Sequence, residues 1–192
     1  MKNIFFLLSF VFILPLGSCS NKEKEPKITE YVNPFIGTAE HGHCFPGATV
    51  PFGAIQLSPD NPRSGWDWCS GYHYSDSTLM GFSHTHLSGT GCIDLGDILF
   101  RPSLQTPLAF SHSDEKASPG YYSVNLREAG VLAELTTTPH VGIHRYTYKK
   151  GIESTLVVDM DHLLDNEYIY EGWVKQTGEN ELTGMRLSLI HI

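Results

Sequence analysis

The 192-residue chain has few basic residues, few cysteines and almost no long apolar run. It carries 13 Lys and Arg against 21 Asp and Glu, for a net charge of −8, and the basic residues form no cluster. Such a chain is a poor match for nucleic acid, so we expect no nucleic-acid partner. Its four cysteines include no C-x-x-C pair, which leaves out the commonest zinc-site spacing.

The sequence also lacks internal repeats, heptads and any apolar periodicity that predicts a helix of three turns. It has no phosphate-cradling glycine loop, no nucleophile elbow and no recognisable Ser/His/Asp order. Its 18 Gly and 11 Pro are spread along the chain, which favours many short strands and turns. We therefore predict a mostly β protein, an antiparallel β-sandwich with long loops near its N-terminus.

The predicted strands are short and bounded by turn residues. They cover residues 54–57, 98–100, 121–126, 131–138, 142–149, 155–160, 168–175 and 182–187. The two strands that flank Pro139-His140 are predicted to form a hairpin. The β-branched and apolar strand 155–160 is predicted to be a central strand. The long irregular parts are predicted at 38–53 and 60–97, and binding residues concentrate in such loops.

The first residues are predicted to be a targeting segment. Lys2 precedes an apolar run over residues 5–16, which is too short to span a bilayer comfortably. The run ends in Leu-Gly-Ser-Cys, which resembles a bacterial lipobox with Cys19 as the lipidated residue. The alternative is an ordinary cleaved signal peptide in which the cysteine occurs by chance. We predict an extracytoplasmic protein with a lipid anchor in the bacterial outer membrane, facing either the periplasm or the cell surface.

This reading divides the chain into three parts. Residues 1–18 form the signal peptide, residues 19–30 form the lipidated Cys19 and a solvated tether, and residues 31–192 form the β-sandwich domain. Three thiols then remain, at Cys44, Cys69 and Cys92. An oxidising compartment permits one disulfide among them, and buried reduced cysteines are the simpler interpretation.

Residues 65–97 form the segment richest in chemistry. It combines two Trp, three His, two Tyr and four Asp with many Gly, and it contains no Lys or Arg. Aromatic faces beside short polar side chains suit a neutral polyhydroxylated ligand such as a sugar. On a strand, Trp66 and Trp68 would face the same side and form a platform for a sugar ring. Packing in the core is the alternative, and we expect it for one of the two.

Histidines and carboxylates in this region allow two kinds of chemistry. The pairs His41/His43 and His84/His86 alternate, so each would lie on one face of a strand and could bind zinc, or else bind a sugar or the loop backbone. Four carboxylates, Asp67, Asp76, Asp94 and Asp97, are candidates for acid, base or hydroxyl acceptor, although Asp residues in a Gly-rich loop commonly form turns. No pair of them is identifiable as the two carboxyls of a glycosidase.

A third group of carboxylates follows the strand predicted at 155–160. Asp159, Asp161 and Asp165 could bind Ca²⁺, but they lack the Gly and terminal Glu of an EF-hand loop. We interpret them as a solvated strand end.

Three long motifs together resemble the N-terminal domain of family 92 glycoside hydrolases. They are VNPFIGT at 32–38, HGHCFPGATVPFG at 41–53, and GWDWCSGYHY followed by GFSHTHLSGTG within 65–91. The resemblance covers about residues 31–188. That family consists of calcium-dependent, exo-acting α-mannosidases that are abundant in gut Bacteroidetes, and the predicted lipoprotein start agrees with such a source.

The resemblance implies an inverting enzyme in which a β-sandwich precedes an (α/α)6 barrel, with the active site between them. The family's general acid, general base and most calcium ligands lie in the barrel. No barrel is included in this chain, so we name no catalytic residue and no metal ligand. By motif, Phe52, Gly53, Trp66 and Trp68 are expected to carry the sugar contacts of the sandwich. We add three weaker candidates, His43, His84 and His86.

The expected function is therefore the N-terminal part of an α-mannosidase that acts on mannose-containing glycans, inactive without its partner domain. The alternative is a stand-alone, lipid-anchored carbohydrate-binding module. A purely structural envelope lipoprotein is a third, weaker hypothesis. We expect the sequence to be truncated, because Leu189-Ile190-His191-Ile192 departs from the family pattern.

Overall fold

The computed structural model describes residues 26–165 and 168–188. The predicted signal peptide, Cys19 and most of the tether lie outside the described residues. In the described part, thirteen strands alternate with loops and three short 3-10 turns. The strands are β1 Ala48–Thr49, β2 Gln56–Asp60, β3 Thr78–Leu79, β4 Gly81–Ser83, β5 Leu99–Arg101, β6 Leu108–Ala109, β7 Glu115–Ser118, β8 Tyr121–Leu126, β9 Val131–Thr137, β10 Gly142–Tyr148, β11 Val157–Asp159, β12 Ile169–Gly178 and β13 Glu181–Ser188.

Two antiparallel sheets make up the body of the domain. One has five strands in the order β1-β2-β4-β5-β11, and the other has four in the order β10-β9-β8-β7. Two smaller ladders pair β3 with β6 and β12 with β13. The prediction of a mostly antiparallel β fold is confirmed.

The core lies between the two large sheets. Alternate residues of β8 and β9 are fully buried, as the period of two along a strand requires. They meet the buried faces of β1, β2 and β4. The fully buried members include Ala48, Leu57, Phe82, Tyr122, Val124, Leu126, Val131 and Ala133. Burying such side chains supplies roughly 1.5–3 kcal/mol each.

Turn residues set the register of the four-stranded sheet. Strands β7 and β8 are joined at Pro119-Gly120, where Gly120 has φ +76°, and β9 and β10 pair from Gly142↔Thr137 to Tyr148↔Val131. The predicted hairpin around Pro139-His140 is thus confirmed. In β10 the side chains of His144, Tyr146 and Tyr148 turn inward and the intervening ones outward.

Several boundaries and positions differ from the sequence prediction. Strand β2 begins at Gln56 instead of 54, because the Ala54 amide hydrogen-bonds to the Pro139 carbonyl at the hairpin tip. The segments 38–53 and 60–97 are not irregular throughout, since they contain β1, β3 and β4. The prediction that the strand at 155–160 is central is wrong. The strand found there, β11, lies at the edge of the five-stranded sheet and pairs with β5.

The β12–β13 hairpin forms a two-stranded ladder of its own. Most of its side chains are exposed, and Arg186 and Ser188 tie it to Asp97, with Arg186 Nε 3.1 Å from Asp97 Oδ1. A 3-10 turn at Ile28–Tyr31 buries no side chain. Among the described residues, none of the helices has the length and apolar character needed to cross a membrane.

Candidate functional site

Trp66 lies on a short 3-10 turn, Trp66–Trp68, with its indole 55% exposed. The ring centroid is 5.0 Å from that of His41 and 4.3 Å from that of His43, which meets it edge to face. We call His41, His43, Trp66 and Asp67 the Trp66 cluster. The cluster brings one exposed aromatic face together with two imidazoles and a carboxylate.

His43 is the buried member of the cluster. Its side chain is 7% exposed, and its Nε2 has no hydrogen-bond partner in the structure. The Asp67 Oδ1 is 3.9 Å away from that nitrogen, beyond hydrogen-bond range. The His43 carbonyl accepts hydrogen bonds from the Ser70 hydroxyl and the Gly89 amide, which fix the backbone. A buried ring nitrogen without a partner is costly, and this one exposes less than 1 Å², so a ligand hydroxyl reaches it only if the neighbouring side chains move.

His41 and Asp67 form the solvent side of the cluster. The His41 Nδ1 is 2.6 Å from Asp67 Oδ1, and the two side chains are 70% and 31% exposed. Such an exposed pair stabilises the fold little. The second carboxylate oxygen of Asp67, Oδ2, and the other ring nitrogen of His41, Nε2, are free to face a ligand.

Trp68 has a different environment. Its Nε1 donates to Asp76 Oδ2 at 2.6 Å, and its ring is packed by His73, with centroids 4.8 Å apart, and by Arg63, 5.5 Å from the ring. The prediction that Trp66 and Trp68 share one face of a strand is wrong. In a 3-10 turn, with three residues per turn, residues i and i+2 point in different directions.

Much of the segment 65–97 belongs to the core, although the sequence predicts a long irregular part at 60–97. Leu79 and Phe82 are fully buried, and so is Tyr72. The Tyr72 and Tyr122 hydroxyls donate to the two carboxylate oxygens of Glu115, at 2.8 and 2.7 Å. Burial, with the Glu115 charge second, raises the pKa of both phenols. The polar composition of the segment thus reflects satisfied hydrogen bonds inside the domain as well as surface chemistry.

Phe52 is fully exposed at the tip of a turn. Its φ is +59°, an unusual value for a residue with a large side chain, so the surroundings must hold it. Gly53 donates its amide to the Val50 carbonyl at 3.0 Å, and its own carbonyl accepts from Gln56 Nε2 at 2.8 Å. This Phe52–Gly53 turn presents an aromatic ring to solvent on a defined backbone.

His86 is held in the core instead of facing a ligand. Its Nδ1 lies 2.6 Å from the Gln56 carbonyl, and its Nε2 lies 2.6 Å from Asp60 Oδ1. The other Asp60 oxygen is 2.8 Å from His162 Nε2. Burial alone would raise the pKa of Asp60, but the His86 charge and the hydrogen bonds of both histidines lower it well below its ordinary range.

The backbone of the aromatic segment rests on this buried group. A Cβ at Gly71 would lie 2.2 Å from Asp60 Oδ1 and 3.0 Å from Cδ2 of the His86 ring. Both distances are shorter than ordinary van der Waals contact, so only glycine fits there. The Asn61 amide also donates to the Gly71 carbonyl at 2.6 Å. The Asp60 group therefore positions the segment that follows Trp68.

His84 contacts a different set of residues from His86. Its Nε2 lies 3.2 Å from His144 Nε2, and Phe100 packs against both rings. The expectation that His84 and His86 share one strand face is wrong, because β4 ends at Ser83 and the chain bends there. His41 and His43 likewise lie in a loop.

The remaining predicted carboxylates have structural partners. Asp76 binds Trp68 and Arg63, Asp94 accepts from the Leu95 amide, and Asp97 accepts from the Thr85 hydroxyl at 2.9 Å. Asp161 donates its amide to Asp159 at the end of β11. Across residues 26–165 and 168–188, no three His, Cys, Asp or Glu side chains come together in a way that could hold a metal ion. The cysteines of this part, Cys44, Cys69 and Cys92, are unbridged.

Sequence reasoning missed Asp60, His144 and His162. Asp60 was read as the start of a loop, although it ends a strand. The available signal for His144 is that it shares one face of the strand predicted at 142–149 with Tyr146 and Tyr148. His162 gave none, because its partner lies 102 residues earlier in the chain.

Comparison with known proteins identifies relatives of the whole domain. The family model described as the glycosyl hydrolase family 92 N-terminal domain matches residues 31–189. A solved family GH92 alpha-mannosidase from Bacteroides thetaiotaomicron, in complex with mannoimidazole, is 41% identical with a TM-score of 0.80, over 85% of this chain and 23% of that one.

Two further relatives are more distant. The family GH92 inverting mannosidase of Bacteroides thetaiotaomicron VPI-5482 is 30% identical with a TM-score of 0.61, over 70% of this chain and 20% of that one. A protein of Arthroderma benhamiae, described as an uncharacterized secreted glycosidase, is 28% identical in an alignment of 183 positions that covers 83% of this chain and 23% of the relative. The chain thus spans less than a quarter of the length of these relatives.

Proposed function

Because the chain belongs to the family of glycosyl hydrolase family 92 N-terminal domains, we propose that it forms part of the sugar-binding site of an exo-acting, inverting α-mannosidase. Its structural relatives of 41% and 30% identity are mannosidases, which supports mannose-containing glycans as the ligand class. The proposal assigns binding and orientation to this domain, and no catalytic residue.

The observation that carries the proposal is the pairing of the exposed Trp66 ring with the buried, unpartnered Nε2 of His43. The C–H face of a pyranose packs well on an indole, while its hydroxyls need hydrogen-bond partners. His43 Nε2 exposes less than 1 Å², so it supplies such a partner once the neighbouring side chains move, and a sugar hydroxyl bound there would relieve the cost of its burial.

The charge of the cluster agrees with a neutral ligand. The only charged partner on the solvent side is the Asp67 carboxylate, which His41 binds at 2.6 Å. A carboxylate that is oriented by an imidazole is a good acceptor for sugar hydroxyls, and the segment 65–97 supplies no Lys or Arg to favour an anionic substrate.

Phe52 and Gly53 are proposed as a second aromatic contact to the glycan. The exposed ring on a fixed turn has the character of a docking residue, and its position in the family-like motif supports this. The packed surroundings of Trp68 and His86 suit a supporting role, in which Trp68 braces the 3-10 turn and the His86–Asp60 pair holds Gly71.

Calcium dependence stays a prediction from the family resemblance. The described residues offer no set of carboxylates suited to that ion, so no step of the proposal uses it. We also propose that the protein is exported and lipid-anchored through Cys19 to the outer membrane. The secreted glycosidase among the relatives supports export.

The test is a titration of the purified protein with methyl α-mannoside by calorimetry, with methyl α-galactoside as the comparison sugar. We expect weak binding, at about millimolar Kd, with preference for the mannoside. Trp66→Ala should weaken binding about tenfold, which corresponds to about 1.4 kcal/mol. Trp173→Ala, at an exposed Trp of the β12–β13 hairpin, is the matched control and should bind as the parent does.

Two results would overturn the proposal. One is equal affinity of Trp66→Ala and the parent protein for the mannoside, and the other is no detectable binding of either sugar. His43→Phe extends the test, because it removes the free nitrogen while keeping a ring. It should lose affinity with little change of fold.

A further inference from the structure

His84 and His144 connect the two large sheets through a direct contact between their imidazoles. His84 follows β4 of the five-stranded sheet, and His144 lies on the inward face of β10, at the edge of the four-stranded sheet. Their Nε2 atoms are 3.2 Å apart, which is hydrogen-bond distance.

The partners of the other ring nitrogens fix the direction of that hydrogen bond. His84 Nδ1 lies 3.1 Å from the Ile98 carbonyl and must donate to it, so its Nε2 carries the lone pair in the neutral ring. His144 Nε2 therefore donates to His84, and His144 Nδ1 accepts from the Tyr146 hydroxyl at 2.8 Å. Every donor in this chain of three side chains has an acceptor only while both imidazoles are neutral.

The surroundings disfavour a positive charge. Phe100 packs against both rings, with centroids 4.9 and 5.0 Å away. Burial, followed by the proximity of His84, lowers the pKa of His144 to about 3. Burial also lowers the pKa of His84, against the opposing effect of the hydrogen bond to the Ile98 carbonyl, and the His86 charge lowers it further.

The titratable groups that face the pair do not compensate such a charge. They are His86 on the segment after β4, and Tyr146 and Tyr148 on β10. Asp97 lies next to Ile98, but its carboxylate is taken by Thr85, Arg186 and Ser188. Within the described residues, no carboxylate hydrogen-bonds either ring.

The same contact supports the tip of the β9–β10 hairpin. A Cβ at Gly142 would lie 2.8 Å from His84 Cδ2, so the first residue of β10 rests directly on the imidazole. The Pro139 carbonyl, on the other side of the tip, accepts from the Ala54 amide at 2.7 Å. Ala54 comes immediately after the Phe52–Gly53 turn, whose Gly53 also lies against Pro139.

We propose that His84, His144 and Tyr146 form an acid-sensitive latch that holds the β9–β10 hairpin tip against the Phe52–Gly53 turn. Protonation of His84 at Nε2 puts two N–H groups face to face and removes the acceptor of the central hydrogen bond. Protonation of His144 at Nδ1 removes the acceptor of the Tyr146 hydroxyl and places a positive charge beside Phe100. The rings then separate, and the hairpin tip loses its support. The latch is defined by hydrogen bonds within the domain, so it can be tested without a sugar.

The sign of the pH effect follows from the two states. In the unfolded chain each histidine takes up a proton near pH 6.5, whereas in the folded state the pair resists protonation. Stability conferred by the latch is therefore complete above about pH 6.5 and is lost progressively as the pH falls below it.

The experiment is an NMR titration of the protein from pH 7.5 to about 2.5, below the pKa of about 3 for His144, following the histidine rings and the amides of Ala54 and Gly142. We expect His144 to titrate more than one pH unit below an ordinary histidine. The Ala54 and Gly142 amides should shift with the same midpoint. His140 is exposed at the same hairpin tip, and His140→Gln is the matched control.

His144→Gln should abolish the pH-dependent shift of the Ala54 amide, whereas His140→Gln should retain it. An ordinary titration of His144 in the parent protein would overturn the latch. So would a titration of His144 that leaves Ala54 and Gly142 unmoved. The parent titration decides the question by itself if His144→Gln does not fold.

Discussion

The Trp66 cluster and the His84–His144–Tyr146 latch are built from the same kinds of side chain, two histidines and at least one aromatic residue. They differ in how their hydrogen bonds are completed. In the latch each ring nitrogen has a protein partner. In the Trp66 cluster the most buried nitrogen, His43 Nε2, has none, and the indole beside it is half exposed.

This difference separates a structural histidine cluster from a binding one better than composition does. Where every ring nitrogen already has a protein partner, none is left to bind a ligand, and removing one of the partners destabilises the fold. A cluster with a free nitrogen carries a desolvation cost that a ligand can relieve. The Asp60–His86–His162 group extends the comparison, because it is the most completely buried of the three.

The largest effect is expected at the most closed group. Asp60→Asn removes the charge that both His86 and His162 bind in the interior, and breaking such a buried pair costs about 3–5 kcal/mol. Urea unfolding should show this loss at pH 7. Asp67→Asn is the control, since it removes an equivalent charge from the exposed His41 pair, where about 0.5 kcal/mol or less is expected. Equal losses in the two variants would show that burial does not distinguish the groups.

The two tryptophans of the 3-10 turn should separate stability from binding. Trp68→Ala loses the packing on His73 and Arg63 and the hydrogen bond to Asp76, so we expect a loss of about 2–3 kcal/mol. Trp66→Ala should cost less than about 1 kcal/mol, because its ring is largely in solvent. Thermal or urea unfolding measures both. A greater loss of stability in Trp66→Ala would reverse their assignment.

The sequence predicted the fold well where local patterns dominate. The alternation in 142–149 and the turn residues at Pro119-Gly120 and Pro139-His140 determine β8, β9 and β10 nearly to the residue. Short strands such as β3 and β4 were missed, because two or three residues give no periodicity. They exist through pairing with distant partners, as Phe82 pairs with both Pro59 and Phe100.

The site was predictable only in its residue types. Trp66 and His43 were singled out because they stand in an aromatic, His-rich motif, and the structure brings them together. Spacing in the chain suggested a shared strand face for Trp66 and Trp68, but the 3-10 turn sends them into different environments. Which histidine keeps a free nitrogen depends on contacts such as those of His84 with His144, 60 residues apart, and no local pattern contains them.

Acidification should weaken the latch, because it protonates the His84–His144 pair. The Trp66 cluster does not contain this pair and should not change through its protonation. Since burial lowers the pKa of His144 to about 3, unfolding takes up a proton throughout the range between that value and about 6.5. Stability should therefore fall by about 1 kcal/mol for each pH unit from pH 6 to 5. Urea unfolding at half-unit intervals measures the slope. His144→Phe should flatten it, and an unchanged slope would assign the effect to other groups.

The smallest change of stability is expected for His43→Phe. The substitution keeps a ring against Trp66 and replaces the unpartnered nitrogen with carbon, so the desolvation cost of that nitrogen disappears. Unfolding free energy should change by less than about 0.5 kcal/mol, in contrast to a loss of about 1–3 kcal/mol in His144→Phe, which leaves His84 Nε2 and the Tyr146 hydroxyl without a partner. A comparable loss in His43→Phe would mean that His43 Nε2 is satisfied in solution. The Trp66 cluster would then be as closed as the latch, and a sugar hydroxyl would gain nothing by binding there.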